Sequence, residues 1–119
     1  MDSASGAPKI AGIDTSLGLM RIGGKRDRYE SLLRKFAAKQ AGAVEAIRTA
    51  LSDGDASAAE REAHSLKGAA GTLGAAALAE RAAELETAIK TGHGIDDAIE
   101  SLSHSLNAVV TAIRVALPD

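Results

Sequence analysis

His64 and Lys67 are the side chains whose types and spacing most directly suggest chemistry, three residues apart in Ala63-His64-Ser65-Leu66-Lys67-Gly68-Ala69-Ala70-Gly71-Thr72-Leu73-Gly74. Imidazole has a reference pKa of about 6.5, so near neutral pH much of it is an unprotonated nucleophile. An ammonium group one helical turn further on can hold the oxygens of an anion delivered to that ring. At about 100° per residue, His64, Lys67, Gly68 and Gly71 share one helix face spread over about 100°. Ala59, Ala63, Leu66, Ala70 and Leu73 cluster on the opposite face. The pattern turns an apolar stripe toward a core and displays the imidazole to solvent, with a cation beside it and little bulk in front.

Gly68 sharpens this reading. Glycine costs roughly 1 kcal/mol relative to alanine inside a helix, and alanine is plentiful here, at 26 of 119 residues. A glycine retained on an exposed face beside a reactive side chain implies that a partner comes close there. Gly74 reads as the C-cap of this helix, with Gly71 the alternative end. Attack by a ring nitrogen on an aspartyl-phosphate gives a phosphohistidine, and attack by a carboxylate reverses it. Such transfer depends mostly on positioning and on charge stabilisation by metal ions and cations. Glu60, four residues before His64, could orient the imidazole or contact a partner; the alternative is an ordinary exposed carboxylate. Arg61 flanks the same face as a partner contact or a solvated charge. His93, in a Gly-flanked turn, and His104, opposite its helix's apolar stripe, read as exposed and inert.

Helices must position these groups. Residues 1–12, rich in Ser, Gly and Ala, read as a flexible lead-in to a domain spanning 13–119. Asp14 is an N-cap for a short helix that stops at Gly23-Gly24. A long second helix is expected from Lys25 to Leu51, with Tyr29, Leu32, Leu33, Phe36, Val44, Ile47 and Leu51 at helical spacing. Ser52-Asp53-Gly54-Asp55 breaks it. The helix carrying His64 starts with Asp55 as N-cap, or with Ser57 and Glu60 as a capping box. A fourth helix near Ala75–Lys90 places Leu78, Ala82, Leu85 and Ile89 on one stripe. The last, near Asp96–Leu117, repeats Ile99, Leu102, Leu106, Val109, Ile113 and Leu117 every three or four residues. Short connections favour antiparallel neighbours, so the expected fold is all-α: an antiparallel up-down four-helix bundle with a short extra N-terminal helix.

His64-Ser65-Leu66-Lys67-Gly68, with Gly71 and Gly74 following, resembles the motif of histidine-containing phosphotransfer domains of bacterial multistep phosphorelays. The resemblance extends along the chain. Gly18–Lys25 followed by Tyr29–Phe36 is similar to the segment that opens these domains, Leu51–Asp55 to their turn before the histidine helix, and Ala79–Ile89 to the helix after it. It implies that His64 carries a phosphoryl group between receiver domains of response regulators or hybrid kinases, without autonomous kinase activity. Lys67 would serve the transfer, and Glu60, Arg61, Gly68 and Gly71 would meet the partner. No magnesium site is visible in this chain, so Mg2+ is expected on the receiver and no cofactor here. Non-phosphorylated adaptors of the same fold are the alternative.

Composition narrows the remaining classes. The net charge of −2 lacks the basic field that favours nucleic acid. Absence of cysteine excludes disulfides and thiolate metal sites and suits a reducing cytoplasm. No apolar run approaches a membrane span of roughly 18 to 20 residues, and no signal peptide is visible. A cytoplasmic monomer without membrane contact is expected, either freestanding or the C-terminal module of a hybrid kinase. A sensor-kinase dimerisation domain fits poorly, because Ser65 follows the histidine and the helix contains no proline. The glycines at 68, 71 and 74 lack the spacing and preceding strand of a phosphate-binding loop. A di-metal bundle needs inward carboxylates and histidines where this chain places Leu and Ala.

Overall fold

Six α-helices form among residues 7–118, which the computed structural model describes: α1 (Thr15–Arg21), α2 (Arg26–Gln40), α3 (Ala43–Ser52), α4 (Ala56–Leu73), α5 (Ala76–Thr91) and α6 (Ile95–Ala116). There is no strand among the described residues. α4 packs along α5 and α5 along α6, while α2 and α3 close the bundle against α4 and α6. Leu33, Ile47, Leu66, Leu85 and Leu106, one from each helix from α2 to α6, are fully buried where these helices meet. Among the described residues, no helix is long and apolar enough to cross a membrane.

The expected second helix is two. α2 ends at Gln40, and a new helix starts from Gly42, whose backbone (φ −97°, ψ 6°) leaves the helical region. The apolar spacing runs through the break without interruption, since Phe36, Gln40, Val44 and Ile47 are all buried. A Cβ at Gly42 would meet open space, so crowding does not require the glycine. Its low helix propensity is what lets the chain reset there.

α4 is bounded by chemistry at both ends. Asp55, rather than Ser57, caps it, accepting the Ala58 amide at 3.0 Å. Gly74 ends it in the left-handed region at φ +95°, and Ala75 N–H donates back to the Ala70 carbonyl at 2.9 Å. The Gly74 carbonyl also accepts Asp14 N–H at 2.8 Å. A Cβ at Gly74 would collide with the Asp14 backbone, so this position needs glycine both for its φ and for the close approach. The N-terminal segment is thereby tied to the end of α4. Residues 1–6 of the expected lead-in lie outside the described residues. Within 7–12, Ile10 is buried in the core, and its carbonyl accepts Ile13 N–H at 3.1 Å.

α1, capped by Asp14 as expected, crosses the same end of α4. Gly18 abuts the Leu73 carbonyl and the Tyr29 ring so closely that no Cβ fits. The Tyr29 hydroxyl donates to that carbonyl at 2.6 Å. Burial, helped by the negative charge of Asp14, pushes the Tyr29 phenol up to about 12 from 10.0. A raised folded pKa means that this contribution to stability is complete below pH 10.0 and is lost as the pH rises through about 12. Tyr29→Phe is expected to cost about 1 to 3 kcal/mol by leaving the buried carbonyl without this donor. The variant also loses the phenol's share of the alkaline destabilisation. Denaturant melts of both proteins at pH 8 and pH 11 check this: the gap between them should narrow at pH 11.

Candidate functional site

The buried face of α4 is the alanine-rich stripe. Ala59, Ala63, Leu66 and Ala70 are fully enclosed, which lets α5 approach closely. His64, on the opposite side, has 65% of its side chain exposed. Lys67, Gly68 and Gly71 follow on that face as the spacing predicts. A Cβ added at Gly68 or at Gly71 would meet nothing within 4 Å. Crowding among the described residues therefore requires neither glycine.

Glu86 is the site residue that the motif alone does not reveal. It projects from α5 with only 11% of its side chain exposed. Its Oε2 lies 3.0 Å from His64 Nδ1 and its Oε1 3.1 Å from Lys67 Nζ. One signal was present in the sequence: Ala82, Leu85 and Ile89 define a core-facing stripe, and Glu86 takes its i+4 position from Ala82. A carboxylate there calls for partners. Burial works to raise the Glu86 carboxyl, but the hydrogen bonds and positive charges of Lys67 and His64 outweigh it and hold the group below its ordinary range.

A carboxylate can only accept, so His64 Nδ1 carries the hydrogen in this contact. In the neutral ring that leaves the lone pair on Nε2, which has no protein partner among the described residues. The arrangement is thus an exposed nucleophilic nitrogen on a ring whose tautomer and orientation are fixed from behind by a buried anion. As the Nε2 lone pair bonds to an electrophile, positive charge develops on the ring, and Glu86 is placed to offset it.

The other sequence-predicted residues group differently. Glu60 makes no hydrogen bond or ion pair with His64; its Oε2 pairs with Lys90 Nζ at 3.5 Å, and the same ammonium lies 3.7 Å from Glu86 Oε2. Arg61 is exposed and makes no ion pair among the described residues. With Ser57, Glu60, His64 and Glu86 it lines a hollow of about 230 Å³. The Gly71 carbonyl accepts a hydrogen bond from the Arg21 guanidinium, which brings α1 alongside the motif face. His93 and His104 are exposed, as expected. No group of three or more His, Cys, Asp or Glu placed to hold a metal occurs among the described residues.

Beside Gly68 the surface opens into a groove of about 320 Å³ between α2 and α4. Leu32, Phe36, Ala69 and Leu73 contribute apolar surface to it, and Lys35 and Lys39 stand on its α2 side. Neither lysine is ion-paired among the described residues. They belong to a strongly basic stretch, residues 21–39, which carries seven Lys or Arg against two Asp or Glu.

Compared with models of protein families, residues 31–116 match the one described as Hpt domain. No curated protein and no solved structure gives a significant match.

Proposed function

We propose, for a chain that belongs to the Hpt domain family, that His64 is the phosphoacceptor of a two-component phosphorelay. It receives a phosphoryl group from a receiver-domain aspartate of a response regulator or hybrid kinase and delivers it to another receiver. The observation that carries this reading is the geometry at His64: Nδ1 held by Glu86 at 3.0 Å and Nε2 left facing solvent. In the forward step the Nε2 lone pair attacks phosphorus. The N–P bond forms as the P–O bond to the aspartyl carboxylate breaks, and the electron pair leaves with that carboxylate. The Nδ1 hydrogen stays on the ring against Glu86, which balances the imidazolium charge. Return to a second aspartate reverses each change.

In this reading α2 with α3, α4, α5 and α6 are the four arms of an antiparallel up-down bundle, and α1 is the short extra helix. The protein is a phosphoryl carrier rather than a kinase, acting as a cytoplasmic monomer without nucleic-acid or membrane partners. The receiver supplies the aspartate and the Mg2+. Lys67 serves the phosphoryl oxygens. Glu60, Arg61, Gly68 and Gly71 line the contact face, and the groove beside Gly68 favours a receiver surface with an apolar ridge and acidic flanks.

The test is transfer from phosphorylated receivers, with transfer to His64 expected and tight binding without transfer favouring an adaptor. Gly68 offers a sharper check on docking. Gly68→Gln should keep or raise the melting temperature, because Gln is the better helix former by several tenths of a kcal/mol. It should also slow transfer by about tenfold or more by obstructing close approach. Unchanged transfer kinetics would remove the access argument.

A further inference from the structure

Lys67 has a conflict to resolve. To serve phosphoryl oxygens on His64 its ammonium must leave Glu86 Oε1, and a largely buried carboxylate oxygen is not stripped of its partner cheaply even with the His64 ring still held at Oε2. Lys90 supplies the answer. Its Nζ already lies 3.7 Å from Glu86 Oε2, and its side chain is 56% exposed, free to adjust.

We propose that Lys90 is the stand-in counter-ion of Glu86: when the phosphoryl group arrives on His64, Lys67 swings to it and Lys90 closes on the vacated carboxylate. The proposal rests on the phosphoacceptor reading above and assigns Lys90 a positioning role. In the resting protein Glu86 faces three positive or proton-donating groups: His64 Nδ1 at 3.0 Å, Lys67 Nζ at 3.1 Å and Lys90 Nζ at 3.7 Å. A phosphoryl group adds about −1.5 to −2 of charge within reach of Lys67, which sits one turn from His64. That charge exceeds the single charge of Glu86 and draws the ammonium outward. Lys90 divides itself between Glu86 and Glu60, at 3.7 and 3.5 Å. Both are long contacts, and an exposed pair of this kind is worth little. Releasing Glu60 to water is therefore cheap, and Lys90 can tighten on Glu86. Only two lysine side chains move; the packing of α4 on α5 stays as it is. The charged groups facing the site are Glu60, Arg61 and Lys67 from α4, and Glu86 and Lys90 from α5.

The phosphoryl group itself reports the exchange. Phosphoramidate, a small-molecule donor, is offered to the intact protein in place of a receiver, and 31P NMR against pH follows the ionisation of the phosphorylated His64 ring, with His64→Gln identifying its resonance. A neighbouring ammonium disfavours the protonated, positively charged ring, so Lys67→Met should raise that pKa by about 1. Lys90→Met, which leaves Lys67 held by Glu86, should raise it in the same direction by about half as much. Lys90→Arg, which keeps the charge, should restore the wild-type titration. Lys90→Met titrating like wild type overturns the proposal. So does an unmoved titration in Lys67→Met, because a cation other than Lys67 would then meet the phosphoryl group. A wild-type spectrum identical to that of His64→Gln overturns the phosphoacceptor reading and the exchange with it.

Discussion

His64→Gln is expected to abolish phosphoryl uptake from every receiver while shifting the melting temperature by less than about 3 °C. Both halves follow from placement. The imidazole is 65% exposed and fills no core volume, so its replacement removes one part-buried hydrogen bond while Lys67 keeps Glu86 paired. Substitutions of that kind stay within about 0.5 kcal/mol, a few degrees for a domain of this size. Glutamine has no nucleophilic nitrogen, and neither His93 nor His104 is followed by a Lys-Gly pair at the spacing of Lys67-Gly68. A His64→Gln protein that still takes up phosphate would move the acceptor elsewhere. One that melts far lower would mean that His64 is a structural residue.

The second large effect is expected at Glu86, where stability and transfer should fall together. Glu86→Ala removes the acceptor that fixes the His64 tautomer and the anion that offsets the imidazolium formed during transfer. Transfer should slow by roughly 10- to 100-fold, the lower side of what preorganised charge contributes in enclosed sites. Stability should fall by about 1 to 2 kcal/mol, less than for a fully buried pair, because His64 and Lys67 retain access to water. Glu86→Gln separates the two roles: its carbonyl still accepts from Nδ1 but carries no charge, so it should fall between wild type and alanine.

Acid should mimic these substitutions. The Glu86 carboxyl sits below its ordinary value of 4.5, so its contribution is complete above about that pH and is lost as the pH falls through the lower folded value. Acid melts should therefore converge, with wild type losing its advantage over Glu86→Gln below about 4.5. An advantage that persists unchanged well below that pH would separate Glu86 from the ion pairs assigned to it.

Much of this architecture is legible in the residue order. The α4 face falls where the wheel puts it, because Ala59, Ala63, Leu66, Ala70 and Leu73 repeat at the helical period and are all buried. Asp14, Asp55 and Gly74 mark helix ends through local chemistry that needs no tertiary partner. The break at Gly42 was less legible: buried residues keep the same period on both sides of it, so periodicity gives no warning and only the glycine itself does. Ile10 illustrates another limit, since its burial depends on contacts from distant helices. Glu86 lies beyond motif reading for the same reason. It is 22 residues from His64 in the chain, and only the packing of α5 on α4 brings it to Nδ1. Gly18 reads as a family-like glycine, yet its physical reason, the Tyr29–Leu73 contact closed over it, exists only in three dimensions.

The most direct test of the phosphoacceptor assignment is transfer from a panel of phosphorylated receiver domains onto protein carrying 15N-labelled histidine, read by 15N and 31P NMR. One phosphohistidine is expected, at Nε2 of His64, with Nδ1 retaining its hydrogen. Phosphate on Nδ1, or tight binding of a phosphorylated receiver with no phosphohistidine formed, would contradict it.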